Sequence, residues 1–127
     1  MFNFFEPTWV QPGPIAQAGL VAPEFKITTD TTVFGSADFL RDVIYNGASY
    51  GQYLIVPDYS SLVGLSDSAL LDDLNLVMMA GGMSAQTRTT LQTALADPNF
   101  SDPGDPSVRV KNLIYLVELS PDYVVQR

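Results

Sequence analysis

Cysteine and histidine are both missing from this chain of 127 residues. Their absence excludes a disulfide, a thiol nucleophile, a zinc site of the usual cysteine–histidine kind and any imidazole acid–base group within it. Positive charge is also scarce: six lysines and arginines stand against fourteen acidic residues, for a net charge of −8. The six are scattered (Lys26, Arg41, Arg88, Arg109, Lys111 and Arg127), so no basic patch is legible. A field of that sign repels phosphate backbones and anionic lipid, which excludes nucleic acid and membrane surfaces as expected partners. No apolar run approaches the roughly 18 residues of a membrane-spanning helix, so no membrane span is expected. The opening residues, Met1 to Pro7, have no basic region ahead of their short apolar patch and do not form a secretory signal. The chain as given reads as soluble, and because a lack of cysteine suits any compartment, no localisation follows.

What is present is apolar and periodic. Hydrophobic residues make up 46% of the chain, too many for a disordered polymer, and the length suits one domain. Residues 1–28 hold Phe2, Phe4, Phe5 and Trp9 among Pro7, Pro12, Pro14 and Pro23, a composition that predicts an extended arm with one short turn over Pro14–Ala18 ended by Gly19. Residues 29–127 predict a helical domain. One helix runs from Asp30 to about Asn46, with Val33, Ala37, Leu40 and Ile44 on one face and Gly47 closing it. Residues 48–58, ending YLIVPDY, read as extended, with one short strand at most and no visible partner. A helix capped by Ser66 runs from Asp67 to about Met79, with Leu70, Leu74, Val77 and Met78 inward. A second, capped by Ser84, carries Leu91, Ala94 and Leu95. A third starts at Asp105-Pro106 and buries Val110, Leu113, Ile114 and Val117. Ser120-Pro121 opens a last short turn reaching about Val125. The expected fold is mainly α, a small bundle of four to five short helices with an irregular aromatic arm.

Candidate chemistry is thin. Gly81-Gly82 precedes a capped helix, as a phosphate cradle does. A helix and not a strand comes before it, no lysine follows, and Arg88 is the nearby cation, so a helix–helix connector is the expected role. The loop DPNFSDPGDPS brings Asp97, Asn99, Ser101, Asp102 and Asp105 together in sequence, the oxygen-rich type of segment that holds calcium. Counted from Asp97, however, the sixth position is Asp102 where an EF-hand loop has glycine, and the twelfth is Val108 where it has glutamate. Asp97, Asn99, Asp102 and Asp105 are therefore weak metal candidates, and exposed-turn chemistry explains them equally. Asp38 and Asp42 share a helix face beside Arg41, which fits a solvated surface better than an acid–base pair. No serine has a basic partner nearby, so no catalytic residue and no cofactor are expected. Met78, Met79 and Met83 are expected in the core. Phe2, Phe4, Phe5 and Trp9 are the interaction candidates, either folded over the chain's own helices or meeting another protein segment.

Three stretches carry a resemblance. They are FNFFEPTWVQPGPIAQAGLVAPEFKITTDTTVFGSADFL, LLDDLNLVMMAGGMSAQTRTTL and RVKNLIYLVELSPDYVVQR. Their order of motifs (aromatic arm, GLVAPEF, GGMS-x-x-TR, then LSP-x-Y) resembles the C-terminal end of the bacterial domain of unknown function 1800 family. The resemblance covers nearly the whole chain and is weakest over residues 46–62. It implies a predominantly helical protein, often exported, with no established reaction and no catalytic residues to carry over. Members of that family are several times longer, so the chain is expected to be a C-terminal part whose core packs against an upstream part. The leading expectation is a non-enzymatic packing or interaction module, whose partner is a second copy or that upstream part. The alternative is a carboxylate- or metal-dependent hydrolase using the Asp97–Asp105 loop.

Overall fold

A computed structural model describes residues 8–10, 12–21 and 30–124. Its contacts divide the chain into two units, residues 1–38 and 39–127. The division falls inside a helix, beyond the 28/29 boundary suggested by composition. In the first unit, α1 (Pro14–Gln17) is one turn held by the Gln17 N–H on the Gly13 carbonyl, and Gly19 turns the chain out of it at φ 67°. The long helix α2 (Asp30–Asn46) starts in the first unit and ends in the second. Burial along its expected face grows from one end to the other. Val33 is exposed, Ala37 and Leu40 are half-buried, and Ile44 belongs to the core, so the inward placement of Val33 does not hold.

The second unit is mainly helical. After α2, Gly47 adopts φ 83° and its N–H closes on the Val43 carbonyl. The chain then forms β1 (Ala48–Tyr50) and β2 (Tyr53–Ile55), an antiparallel pair with Ala48 opposite Ile55, Ser49 opposite Leu54 and Tyr50 opposite Tyr53. The expected single strand is therefore two, and the missing partner lay within the same stretch. Gly51 at φ 60° is followed by a residue without positive φ, the sign pattern of a type II′ two-residue turn.

Beyond the one-turn α3 (Ser60–Val63), the core is built by α4 (Asp67–Met79), α5 (Ala85–Leu95) and α6 (Ser107–Glu118), with α7 (Pro121–Val124) closing against α4 and α6. Leu70, Leu71, Leu74, Leu91, Val110, Leu113, Ile114 and Val117 join Ile44 in one buried cluster, and Met78, Met79 and Met83 pack against it half-buried. All four residues expected inward on α6 are buried. On α4, Val77 is 73% exposed while Leu71 is fully buried, which overturns the inward placement of Val77. At about 100° per residue, Leu70, Leu74, Met78 and Leu71 span one arc of roughly 100°, and Val77 falls just outside it.

Both serine caps form. Ser66 Oγ accepts from the Ala69 N–H at 3.4 Å and Ser84 Oγ from the Thr87 N–H at 3.2 Å. The helix after Pro106 begins one residue later than a cap at Asp105 implies. Asp105 still does the capping chemistry, since its carboxylate accepts from the Ser107 N–H at 2.9 Å and the Ser107 hydroxyl at 2.7 Å.

Candidate functional site

The glycine pair is a connector. Ala80 (φ 49°) and Gly81 (φ 83°) reverse the chain, the Gly81 N–H closes on the Asn75 carbonyl, and the Met83 N–H donates to Asn75 Oδ1 at 2.9 Å. These donors are thus tied to α4 and do not face outward as a phosphate cradle requires. Arg88 reaches back to Asp72 at 2.7 Å, joining α5 to α4.

The N-terminus of α5 is occupied by a side chain from far along the sequence. Asp122, in α7, accepts from the Ser84 N–H at 3.0 Å and from the Thr87 hydroxyl at 2.6 Å through the same oxygen, Oδ2. A carboxylate there meets the positive end of the helix and satisfies an orphan N–H. The two motifs GGMS-x-x-TR and LSP-x-Y are therefore joined in space, and their polar residues serve architecture. A groove of about 380 Å³ runs beside this latch, lined by Leu91, Leu116 and Leu119 as well as by Ser84, Thr87 and Asp122.

A second groove, of about 290 Å³, lies where α2, the exit of β2, α3 and the start of α6 meet. Its polar groups are engaged with one another. The Tyr45 hydroxyl donates to Asn112 Oδ1, whose amide in turn donates to the Phe100 carbonyl at 2.8 Å. The Tyr59 hydroxyl donates to the Ile44 carbonyl at 3.1 Å. Burial holds both phenols above their ordinary range. Lys111 lies 5.8 Å from the centre of the Tyr45 ring and 3.9 Å from the Asp105 carboxylate. The backbone N–H of Ser60 draws Asp58 below the usual carboxylate range. Lys111 thus has two internal partners, and Asp58 opposes any anion. The remaining described cations are likewise engaged: Arg109 with Asp67 and the Leu65 carbonyl, Arg41 over the Tyr45 ring.

The aspartate loop does not converge. Asp97 caps the 3-10 turn Pro98–Phe100 through the Asn99 N–H at 2.9 Å, and the Asn99 side-chain amide donates to the same carboxylate. Asp102 takes the Gly104 N–H at 2.8 Å. Asp105 serves Ser107, whose hydroxyl and N–H hold it below the usual carboxylate range. Among the described residues no three acidic side chains stand where they could share a cation. Asp38 and Asp42 are exposed, and Asp42 accepts from the Asn46 side chain at 2.6 Å.

Glu118 departs from this pattern. Its Oε2 is buried without a hydrogen-bond partner at the end of α6, and burial raises the carboxyl above its ordinary range. Phe2, Phe4 and Phe5 lie outside the described residues, and Trp9 is half-buried.

The remaining feature is apolar. Tyr50, Tyr53, Leu54, Ile55 and Val56 are each more than three-fifths exposed, and Leu76 and Val77 on the outer side of α4 more so than most. Among the described residues more large apolar side chains are exposed than buried. No helix among these residues is long and apolar enough to cross a membrane. Comparison with family models, curated proteins and solved structures returned no match.

Proposed function

We propose that this chain is a non-enzymatic packing and interaction module, a small helical bundle acting as the C-terminal segment of a larger bacterial protein of the domain of unknown function 1800 type. One observation carries the reading. Most polar groups lining the two grooves are engaged internally, while contiguous apolar side chains on the hairpin are left bare. An exposed apolar run of this kind marks a surface that another polypeptide covers. The hydrolase alternative draws no support from the loop it needs, because Asp97, Asp102 and Asp105 each bond to their own neighbours.

The test is to read the gene upstream of Met1, co-express the encoded polypeptide with this chain, and follow binding of an apolar dye to the chain alone and in complex. The chain alone binds the dye, and its partner displaces it. A chain that binds no dye and gains no partner overturns the reading.

A further inference from the structure

Register fixes where the backbone groups of the hairpin point. Tyr50 and Tyr53 flank a two-residue turn, so they exchange bonds across the pair, as do Ala48 and Ile55. Ser49 and Leu54, between them, do not. The N–H and C=O of Leu54 therefore face away from β1, along the outer edge of β2. Among the described residues the sheet has two strands, so none of them pairs with that edge. Open edges are normally blunted by a charge, a proline or a bulge, and residues 53–56 carry none of these. A lone hairpin this short is marginal in water unless something more packs on it.

We propose that β2 pairs antiparallel, edge to edge, with β2 of a second copy of this chain about a two-fold axis at Leu54, giving a four-stranded sheet. The proposal rests on the interaction reading above and takes a second copy, in place of an upstream polypeptide, as the partner at the hairpin. Charge and area favour this occupant. Residues 47–57 contain no charged side chain, so two copies meet there without like charges at the seam despite a net charge of −8 each. A basic strand, by contrast, finds no carboxylate on the hairpin to meet. About the two-fold axis Leu54 meets Leu54, and Tyr53 of each copy faces Ile55 of the other, an aromatic on a β-branched side chain. The exposed portions of Tyr53, Leu54, Ile55 and Val56 (62–66% of each) amount to roughly 450 Å², against about 800 Å² per partner in a standard interface. That area fits a weak dimer that forms as concentration rises.

Sedimentation velocity of the full chain from about 5 to 500 µM reads the association directly. Leu54→Pro removes the outward donor while leaving the bonds of the hairpin itself in place, and Leu54→Lys sets two charges together on the axis. Each is expected to weaken the dimer at least about tenfold with an unchanged helical circular dichroism spectrum. Because the chain has no cysteine, Leu54→Cys supplies a second measurement that does not depend on those variants folding. Mild oxidation links two copies at residue 54, while Gln92→Cys on exposed α5 stays single. A wild-type chain that is monomeric throughout the range overturns the proposal. So does a dimer that ignores both variants and does not cross-link at 54. In either case dye binding by the wild-type chain shows separately whether the wider interaction reading stands.

Discussion

Replacing Gly47 by alanine probes the junction between α2 and the hairpin. Gly47 sits at φ 83°, and a Cβ built there lies 2.5 Å from the Ile55 carbonyl oxygen and 3.2 Å from both the Ile55 carbonyl carbon and the Val56 Cα. Two costs follow. The left-handed conformation costs an alanine about 1–2 kcal/mol. The collision is with backbone, which no rotamer change relieves, and overpacking of that kind adds about 1–3 kcal/mol. Loss of glycine's freedom in the unfolded chain returns about 0.4–1 kcal/mol. The net is a loss of about 2–4 kcal/mol. Gly81 is a matched control, with the same φ of 83° and no atom within 4 Å of a built Cβ. Gly81→Ala is expected to lose about 1 kcal/mol. Urea unfolding followed by circular dichroism gives both values, and hydrogen exchange at the hairpin amides covers the case in which β2 lets go while the helices hold. Equal losses for the two variants, with the Ile55 amide still protected in Gly47→Ala, refute the close approach.

Four further outcomes follow. Leu71→Ala is expected to lose about 2–5 kcal/mol, while Val77→Ala stays within about 0.5 kcal/mol, both read from urea midpoints. Asp122→Ala, which leaves the Ser84 cap in place but removes the acceptor of the Ser84 N–H and the Thr87 hydroxyl, should cost about 1–2 kcal/mol, and helix content measured against urea checks it. Burial holds the Glu118 carboxyl above its ordinary value, so the folded chain binds more protons than the unfolded chain between that value and the raised one. Stability therefore falls as pH rises through this window, and Glu118→Gln should raise the melting midpoint at pH 7 more than at pH 4. Calcium in the millimolar range should leave the melting midpoint unchanged, and a rise would restore the aspartate loop as a cation site.

Helix α6 was legible from its sequence because two independent signals agree: the Asp105-Pro106 start and four apolar residues at helical spacing. The serine caps of α4 and α5 were legible for the same reason, each preceding an apolar-periodic run. Val77 misled because periodicity identifies a stripe but not how wide the neighbouring elements make it. Both α5 and α7 lie against α4, and the buried arc takes in Leu71 and leaves out Val77. The hairpin escaped notice because Gly51-Gln52 is a weaker turn signal than Asn-Gly, and because three-residue strands give too few positions for alternation to register. Asp122 could not have been found from local pattern. Ser120-Pro121 explains a turn there on its own, and nothing in the adjacent residues reveals that the carboxylate reaches a helix 38 positions earlier. The aspartate loop shows the converse, since its composition suggested a cation while local backbone bonding accounts for every carboxylate in it.

That separation bears on synthesis. A polypeptide leaves the ribosome from its N-terminus, so Ser84 and Thr87 emerge long before the acid that completes them. Until Asp122 follows, the Ser84 N–H and the Thr87 hydroxyl must bond to water, while the local cap of Ser84 on the Thr87 N–H can already form. A nascent chain that ends short of that residue lacks this link across the bundle and relies on the Ser84 cap alone.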